Sequence, residues 1–135
     1  MSAAVETFSL KTHHREELVD ITGRVNEIVE RLGIAEGMCW VSAPHTTAAV
    51  TVNEGFDPDV AADITAALAR IVPRSAGYAH AEGNSDAHVK ATLVGSCQSV
   101  PVEGARLALG QWQAVFFCEF DGPRTREVRV KVIAG

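Results

Sequence analysis

Five side chains that can bind a metal ion, transfer a proton or hold a substrate occupy every second position of one short stretch, YAHAEGNSDAHVKATLVG (78–95). They are His80, Glu82, Asn84, Asp86 and His88. Proteins commonly use imidazoles and carboxylates as zinc ligands and as general acids and bases. Two histidines and two carboxylates that share this two-residue spacing within nine residues therefore indicate a functional site.

The alternation predicts a β-hairpin whose turn is Gly83-Asn84-Ser85. In that register His80 faces His88 and Glu82 faces Asp86, with the Cβ atoms of each pair roughly 4.5–5.5 Å apart. Two imidazole rings at that separation can share one divalent metal ion. Alternatively, the segment before Asp86 is a loop that only passes the strand that follows it.

His45 lies at an interruption between two β-rich runs, residues 38–43 and 47–54. A side chain at such a strand break can point into a cleft, and catalytic zinc sites usually combine three protein ligands with one open position. His45, His80 and His88 are therefore the candidate metal ligands, with Zn²⁺ or Mg²⁺ as the candidate cofactor. Any one of these histidines could equally be a surface or hydrogen-bonded residue.

The stretch NEGFDPDVAAD supplies a second group of polar residues. Glu54, at the end of a predicted strand, is a candidate general base, metal ligand or partner that orients a histidine. Asp57 is explained without a catalytic role, as the N-cap of a helix with Pro58 at its first position. The hydroxyls of Thr46 and Thr47 could bind substrate oxygens, although both residues are also typical of the start of a strand.

The whole chain has 135 residues, of which 47% are hydrophobic, and a formal net charge of -5. This length and composition predict a single domain over residues 1–135 with a sizeable core. No apolar run approaches the roughly 20 residues of a membrane span and the N-terminus lacks the layout of a signal peptide, so we expect a cytoplasmic protein without a membrane partner. An acidic chain without a Lys/Arg cluster also gives no reason to expect nucleic-acid binding.

Three cysteines, Cys39, Cys97 and Cys118, are odd in number and widely separated. This pattern predicts small buried residues in a reducing compartment and argues against a disulfide framework. Since the chain has no basic cluster, a phosphorylated small-molecule substrate would have to be held by a few local groups. Arg124 and Arg126, beside a predicted turn, are the candidate bidentate anchors for a phosphate, although solvated arginines are also common there.

Hydrophobic periodicity predicts the elements that position these residues. In chain order they are a strand over 5–10, an amphipathic helix over 17–33, strands over 38–43 and 47–54, a helix from Asp57 to Pro73, and about five strands after residue 74 with hairpin turns at 103–104 and 121–123. Early helices followed by consecutive strands are typical of the α+β class. We therefore expect an antiparallel β-sandwich-like sheet with two main helices in the N-terminal half.

The period of two after residue 74 also predicts which side chains are buried. Val89, Ala91 and Leu93 are expected in the core, while His88 and Lys90 are expected on the opposite, accessible face. A slip of one residue in register would reverse this assignment.

Four segments, ELVDIT, HTTAAVTVNEGFDPDV, HAEGNSDAHVKATLVG and LALGQWQAVFFCEFDGPRTREVRV, together resemble the YjbQ-like family, also described as secondary thiamine-phosphate synthases. The resemblance covers about residues 5–133 in the same order and spacing. It implies an α+β fold with an antiparallel sandwich-like core, assembly as a homotrimer, and a pocket formed by the shared motifs.

The family's HTT, NE, DP and HxEGNxDAHxK motifs all have counterparts in this sequence. The matching residues are His45, Thr46, Thr47, Asn53, Glu54, Asp57, Pro58, His80, Glu82, Gly83, Asn84, Asp86, His88 and Lys90. The candidate catalytic residues are His45, Glu54, His80, Asp86 and His88. The candidate substrate-binding residues are Thr46, Thr47, Asn53, Glu82, Gly83, Asn84, Lys90 and Arg124.

The resemblance implies that hydroxymethylpyrimidine diphosphate condenses with a thiazole phosphate to give thiamine phosphate and pyrophosphate, as the main or a secondary activity. Such a reaction needs a metal ion or basic groups to stabilise the departing diphosphate, for which the sequence offers Lys90, Arg124 and Arg126. Two alternatives stay open. One is a metal-dependent hydrolase or lyase in which the three histidines bind Zn²⁺, and the other is a trimeric ligand- or metal-binding module without catalytic activity.

Overall fold

Two antiparallel sheets and three helices make up the computed structural model, which describes residues 3–135. The strands are β1 (Ala3–Lys11), β2 (Glu17–Asp20), β3 (Gly37–Ser42), β4 (Ala48–Glu54), β5 (Cys97–Glu103), β6 (Arg106–Leu107), β7 (Gln113–Glu119) and β8 (Thr125–Ala134), and the helices are α1 (Thr22–Leu32), α2 (Pro58–Ile71) and α3 (Ser85–Val94). The predicted α+β class is confirmed. None of these three helices combines the length and the apolar composition that crossing a membrane requires.

The five-stranded sheet has the strand order β1-β8-β3-β5-β6, and the three-stranded sheet has the order β2-β7-β4. Every pairing in both sheets is antiparallel. β8 lies between β1 and β3, and β7 lies between β2 and β4. β1 and β2 are therefore edge strands, each with a single partner.

The main hydrophobic core lies where the inner faces of the two sheets meet α1. On β8 the side chains of Val128, Val130 and Val132 are buried and alternate with exposed residues, as expected for a strand with one face toward the core. On α1, Val25 and Val29 are fully buried, because residues four apart lie on one face of a helix. Burial of this apolar surface is the main stabilising contribution to the fold.

Strong local signals predicted α2 and the β5–β6 turn correctly. Asp57 is the N-cap of α2, its carboxylate accepts the N–H of Asp59 at 2.9 Å, and Pro58 is the first helical residue. At the predicted turn, Glu103 pairs with Arg106 and closes β5 onto β6 as an antiparallel hairpin.

The predicted helix over 17–33 is wrong in its first part. Glu17–Asp20 form β2, which pairs with β7, and α1 begins only at Thr22. The Asp20 carboxylate accepts the N–H of Thr22 at 2.9 Å and so satisfies one of the free donors at the helix start. The predicted end at Gly33 is confirmed, since its φ of 71° is a conformation that glycine adopts without steric cost.

The predicted hairpin around residues 80–93 is wrong, because Ser85–Val94 form helix α3. The buried residues of α3 are Asp86, Ala87, Lys90 and Ala91. They recur at spacings of three and four, which places them on one helical face. Val89 and Leu93, predicted to be core residues, are 40% and 60% exposed, whereas Lys90, predicted to be accessible, is buried.

The turn at 121–123 does not form a hairpin as predicted. β7 ends in the three-stranded sheet and β8 begins in the five-stranded sheet, so the turn carries the chain from one sheet to the other. In the described part of the chain four strands follow α3, where about five were predicted.

The three cysteines differ in environment. Cys39 and Cys118 are buried as predicted, and burial raises the pKa of each to about 12. Cys97 is exposed, which corrects the prediction that all three are buried. All three are free thiols in the described structure.

Candidate functional site

An open cleft with a volume of about 460 Å³ lies between the β3–β4 connection and α3. The lining residues are His45, Thr46, Ala48, His88, Ala91, Thr92, Gly95 and Ser96. Two imidazoles and three hydroxyls thus face one space. The cleft lining contains no lysine, arginine or carboxylate, so its chemistry depends on imidazole and hydroxyl groups.

His45 is held by the backbone of β8. β3 pairs with β8 as far as Ser42 opposite Arg129, and beyond that point the imidazole Nε2 of His45 accepts the N–H of Glu127 at 2.9 Å. Because Nε2 is an acceptor, the ring proton resides on Nδ1. Burial and the nearby charge of Arg126 lower the pKa of His45 below its ordinary value of 6.5, so the ring is neutral at physiological pH.

His80 and His88 are neighbours, although not as the cross-strand pair that we predicted. His88 lies in α3 and His80 in the loop before it, and their ring centroids are 5.4 Å apart in an edge-to-face arrangement. Glu82 extends beside His80, with 3.7 Å between its Oε2 and the imidazole Nε2. His80 and Glu82 are both solvent-exposed. Of this group only His88 lines the cleft.

The three predicted metal ligands do not converge within the described chain. The Nε2 atom of His45 is already bonded to a backbone amide. Residues 3–135 contain no set of three or more His, Cys, Asp or Glu side chains arranged to hold one metal ion. A metal ion bound by His80 and His88 would therefore need further ligands other than the His, Cys, Asp and Glu side chains of residues 3–135.

Asp86 and Lys90 form the centre of a buried network behind the cleft. The Asp86 carboxylate accepts two hydrogen bonds from the Arg15 guanidinium, at 3.1 and 3.0 Å, and one from Lys90 Nζ at 2.9 Å. Lys90 also donates to Glu16. Burial raises the pKa of Asp86, but the hydrogen bonds from Arg15 and Lys90 outweigh it and hold the pKa at about 2. The predicted catalytic carboxylate is thus a permanently charged partner in a network, and neither Asp86 nor Lys90 lines the cleft.

Glu119 and Arg126 form a second buried network, which the sequence analysis missed. The Arg126 guanidinium donates from Nε to both carboxylate oxygens of Glu119, at 2.9 and 3.1 Å. It also donates to the carbonyl and the hydroxyl of Thr47, while Thr12 donates its hydroxyl to Glu119 at 2.7 Å. The Thr47 hydroxyl is therefore used inside the protein. Arg126 is neither the solvated turn residue nor the phosphate anchor that the sequence suggested, because its guanidinium is buried against Glu119.

The signal for this second network was present in the sequence. Glu119 interrupts the apolar run VFFCEF. Arg126 lies two residues before Val128, so it is on the same inward-facing side of β8 as the buried valines. A charged residue on the buried face of a strand needs a partner of opposite charge, since an unpaired buried charge is costly. Two such residues, one on each of two successive strands, predict a buried ion pair.

Asn84 ties the start of α3 to the β7–β8 turn. Its side-chain amide donates to the carboxylate of Asp121 at 2.8 Å, and the half-exposed Arg124 donates to the same oxygen at 3.0 Å. The side-chain carbonyl of Asn84 is buried without a hydrogen-bond partner in the described structure. Gly83, just before it, has a φ of 78° that other residues rarely adopt. This turn, with its predicted substrate-binding residues, lies outside the cleft lining.

Asn53 and Glu54 lie at the opposite end of β4 from the cleft. At about 3.3 Å per residue, the strand places Glu54 roughly 20 Å from Ala48. The Glu54 carboxylate accepts the N–H groups of Phe56 at 2.9 Å and of Asp57 at 3.3 Å, which organises the start of α2. Within one chain, this predicted base is therefore too far from His45 to act on the same substrate atom.

The chain matches a known family over almost its entire length. Residues 6–135 match the family described as UPF0047 protein YjbQ-like. The UPF0047 protein MJ1081 of Methanocaldococcus jannaschii is 44% identical over 126 residues, which cover 93% of this chain and 91% of that protein. The UPF0047 protein YugU of Bacillus subtilis is 43% identical over 130 residues, covering 96% and 98%.

Solved structures of other proteins are also similar to this chain. An uncharacterized conserved protein of the YjbQ/UPF0047 family from Clostridium acetobutylicum has a TM-score of 0.93 at 48% identity and covers 95% of this chain and 99% of its own. A protein of unknown function from Sulfolobus solfataricus has a TM-score of 0.95 at 33% identity, with 99% of both chains covered. These similarities agree with the observed α+β fold.

Proposed function

The chain belongs to the YjbQ-like UPF0047 family, and from this premise we propose that it is an enzyme that acts on a phosphorylated small molecule in the His45–His88 cleft. The observation that carries the proposal is the presence of two imidazoles with different hydrogen-bonding states in one open space. A volume of about 460 Å³ also lies within the range of small-molecule sites, about 300–1,000 Å³.

The two histidines have different parts in this proposal. His45, neutral and fixed through Nε2, offers Nδ1–H as a hydrogen-bond donor to a substrate oxygen. His88 lines the same cleft and makes no side-chain hydrogen bond within residues 3–135, so its ring is available to donate a hydrogen bond or a proton to a departing group. The hydroxyls of Thr46 and Ser96 at the cleft wall would orient the substrate.

The first reaction to test is the one implied by the family resemblance, the condensation of hydroxymethylpyrimidine diphosphate with thiazole phosphate. The thiazole nitrogen would form a bond to the pyrimidine methylene carbon while the bond to the diphosphate breaks. Donors from His45, His88 and the two hydroxyls would stabilise the departing diphosphate, because charge that develops on oxygen is best met by fixed donors. Added Mg²⁺ would supply the additional positive charge that the cleft lining lacks.

The experiment measures thiamine phosphate formed from these two substrates with and without Mg²⁺. We expect turnover by the parent protein, and a loss of at least about 100-fold in kcat/KM for His88→Ala, in line with the usual contribution of a general acid or base. His45→Gln should also lose activity while keeping the fold, because glutamine can place an acceptor near the Nε2 position. Glu27→Gln, on the exposed face of α1, is the matched control. A parent protein that forms no thiamine phosphate at saturating substrate would contradict the synthase proposal.

A metal-dependent hydrolase or lyase is the second candidate, favoured by the His80–His88 pair. Two imidazoles bound to one ion at about 2.0–2.1 Å in tetrahedral geometry have ring centroids roughly 5 Å apart, close to the 5.4 Å observed. Elemental analysis of tag-free protein tests this candidate. It predicts about one transition-metal ion per chain, lost in both His80→Ala and His88→Ala, and a metal-free parent after reconstitution would contradict it.

We also propose that the chain forms a homotrimer, as the family resemblance implies. The support is a helix that the rest of the chain covers only in part. Leu68 packs against a small core cluster, but no residue of α2 is buried and Ile71 is 69% exposed. A groove between α2 and β2, in which four of the eight lining residues are alanines, offers a surface for close helix packing by another copy. Sedimentation analysis should find a trimer that Ile71→Glu weakens without unfolding. If His80→Ala or His88→Ala dissociated the trimer, a purely structural role for these histidines would be favoured.

A further inference from the structure

A second cleft, separate from the His45–His88 cleft, opens between the edge strands β1 and β2. It has a volume of about 510 Å³ and shares no lining residue with the first cleft. It exists because, among the strands of residues 3–135, β1 pairs only with β8 and β2 pairs only with β7, so none of them bridges the gap between the two sheets on this side. Its volume is within the range of small-molecule sites.

The floor of this second cleft is apolar. Leu10 and Ile21 are buried members of the main core, and Val19 packs against that core. A ligand lying on this floor would shield the remaining apolar surface of the cleft from water, which favours binding. The floor therefore favours a ligand with a hydrocarbon or aromatic body.

The rim of the second cleft is positively charged. Arg24 is held in place, since its Nη1 donates to the carbonyl of Ser9 at 2.8 Å and its guanidinium carbon lies 4.2 Å from the ring centroid of Phe8. These contacts leave other guanidinium N–H donors available. Lys11 makes no side-chain hydrogen bond or ion pair within residues 3–135. Two cations therefore border a cleft in a chain whose net charge is -5.

One carboxylate, that of Asp20, also lines the second cleft, where its Oδ1 accepts the N–H of Thr22. Arg24, Lys11 and Asp20 give the lining two positive charges and one negative charge. The cleft is thus matched to a ligand with a single negative charge. A planar carboxylate suits the guanidinium of Arg24, which can donate two parallel hydrogen bonds.

We propose that this cleft is a second ligand site, which binds a small, free carboxylate with an apolar body. The carboxylate is held by Arg24 and Lys11, and the apolar body lies on Leu10, Val19 and Ile21. The site is independent of the reaction proposed for the His45–His88 cleft.

Octanoate is the test probe, titrated into isotope-labelled protein by NMR and in parallel by calorimetry. We expect saturable binding, with chemical-shift changes at Leu10, Val19 and Ile21. Octanol, which keeps the apolar body without the charge, and inorganic phosphate, which keeps the charge without the body, should each bind at least about tenfold more weakly.

Variants locate the site and separate it from the first cleft. Arg24→Gln should weaken octanoate binding at least about tenfold, while the matched control Arg31→Gln, from the same helix but bonded to Glu6, should not. His88→Ala should leave octanoate binding unchanged. Circular dichroism of each variant confirms its fold.

Three results of these titrations would overturn the proposal. They are the absence of saturable binding to the parent protein, binding that survives Arg24→Gln unchanged, and shift changes centred on His88. Protection of β1 and β2 by a second copy of the chain in solution would also overturn it, since the cleft would then be covered.

Discussion

Two buried charge networks lie behind the His45–His88 cleft, and they are built differently. Glu119 and Arg126 form a closed pair, with side chains that are 0% and 3% exposed. Asp86 and Lys90 are equally buried, but their outer partners Arg15 and Glu16 are each 21% exposed. The first network is sealed from water, whereas the second reaches the surface.

This difference governs what happens when one member is lost. A sealed pair leaves its surviving partner as an uncompensated buried charge, which costs several kcal/mol. In the second network, water and the remaining charged partners can compensate part of the loss. Removing one member of the closed pair should therefore destabilise the protein more than removing one member of the second network, although the ions of both networks are similarly buried.

The largest effect is expected for Arg126→Met. It should reduce the free energy of unfolding by about 3–5 kcal/mol, because Glu119 loses its only ionic partner among residues 3–135. Urea denaturation followed by circular dichroism measures this. Arg124→Met, two residues earlier and half-exposed, is the control and should change stability by less than about 0.5 kcal/mol.

A double variant sharpens this first test. Glu119→Leu combined with Arg126→Met removes both charges and should recover much of the lost stability, since an apolar pair of similar volume needs no desolvation of ions. If Arg126→Met alone cost less than about 1 kcal/mol, the description of this pair as sealed would be wrong.

A smaller effect is expected for Asp86→Asn. This change should cost about 2–3 kcal/mol, because Lys90 keeps Glu16 as a partner and Arg15 can turn toward solvent. Chemical denaturation at pH 7 measures it, with the exposed Glu82→Gln as the matched control. A loss equal to that of Arg126→Met would remove the distinction between the two networks.

The smallest of the three effects is a pH dependence. The pKa of Asp86 is about 2 in the folded protein and 3.8 for the ordinary group. A carboxyl group with a lowered folded pKa stabilises the protein above its unfolded pKa and loses that contribution as the pH falls through the folded value. About 2 kcal/mol should therefore disappear between about pH 4 and pH 2.

Comparison with Asp86→Asn isolates this contribution. Denaturation at a series of acidic pH values should give a flatter slope for the variant than for the parent. Some slope should remain, because the hydrogen bonds from Arg126 and Thr12 outweigh the effect of burial and lower the pKa of Glu119 as well. Identical slopes for the two proteins would show that Asp86 does not carry the acid sensitivity.

Some helices could be predicted from the sequence and others could not, depending on whether local signals or buried charges shape them. α2 was predictable because Asp57 and Pro58 act within the first turn of the helix. α3 was not, because two of its four buried positions are Asp86 and Lys90. A buried ion pair hides the helical period, and the chance alternation of apolar residues then favours a strand.

The candidate site was also predictable only in part. The sequence motifs include His45 and His88, which line one cleft. They also suggested Glu54, which the length of β4 places at the other end of the strand. Proximity in a motif reports distance along the chain, whereas the direction in which each strand runs decides which residues meet in space.

The position of β8 in the middle of the five-stranded sheet has a consequence for synthesis of the protein. β8 (Thr125–Ala134) is made long after its two neighbours β1 and β3. At about 5–20 residues per second, translation from the end of β3 to the end of β8 takes about 5–20 s. During that time β1 and β3 lack the strand that pairs with both of them, and unpaired strand edges favour mispairing between chains.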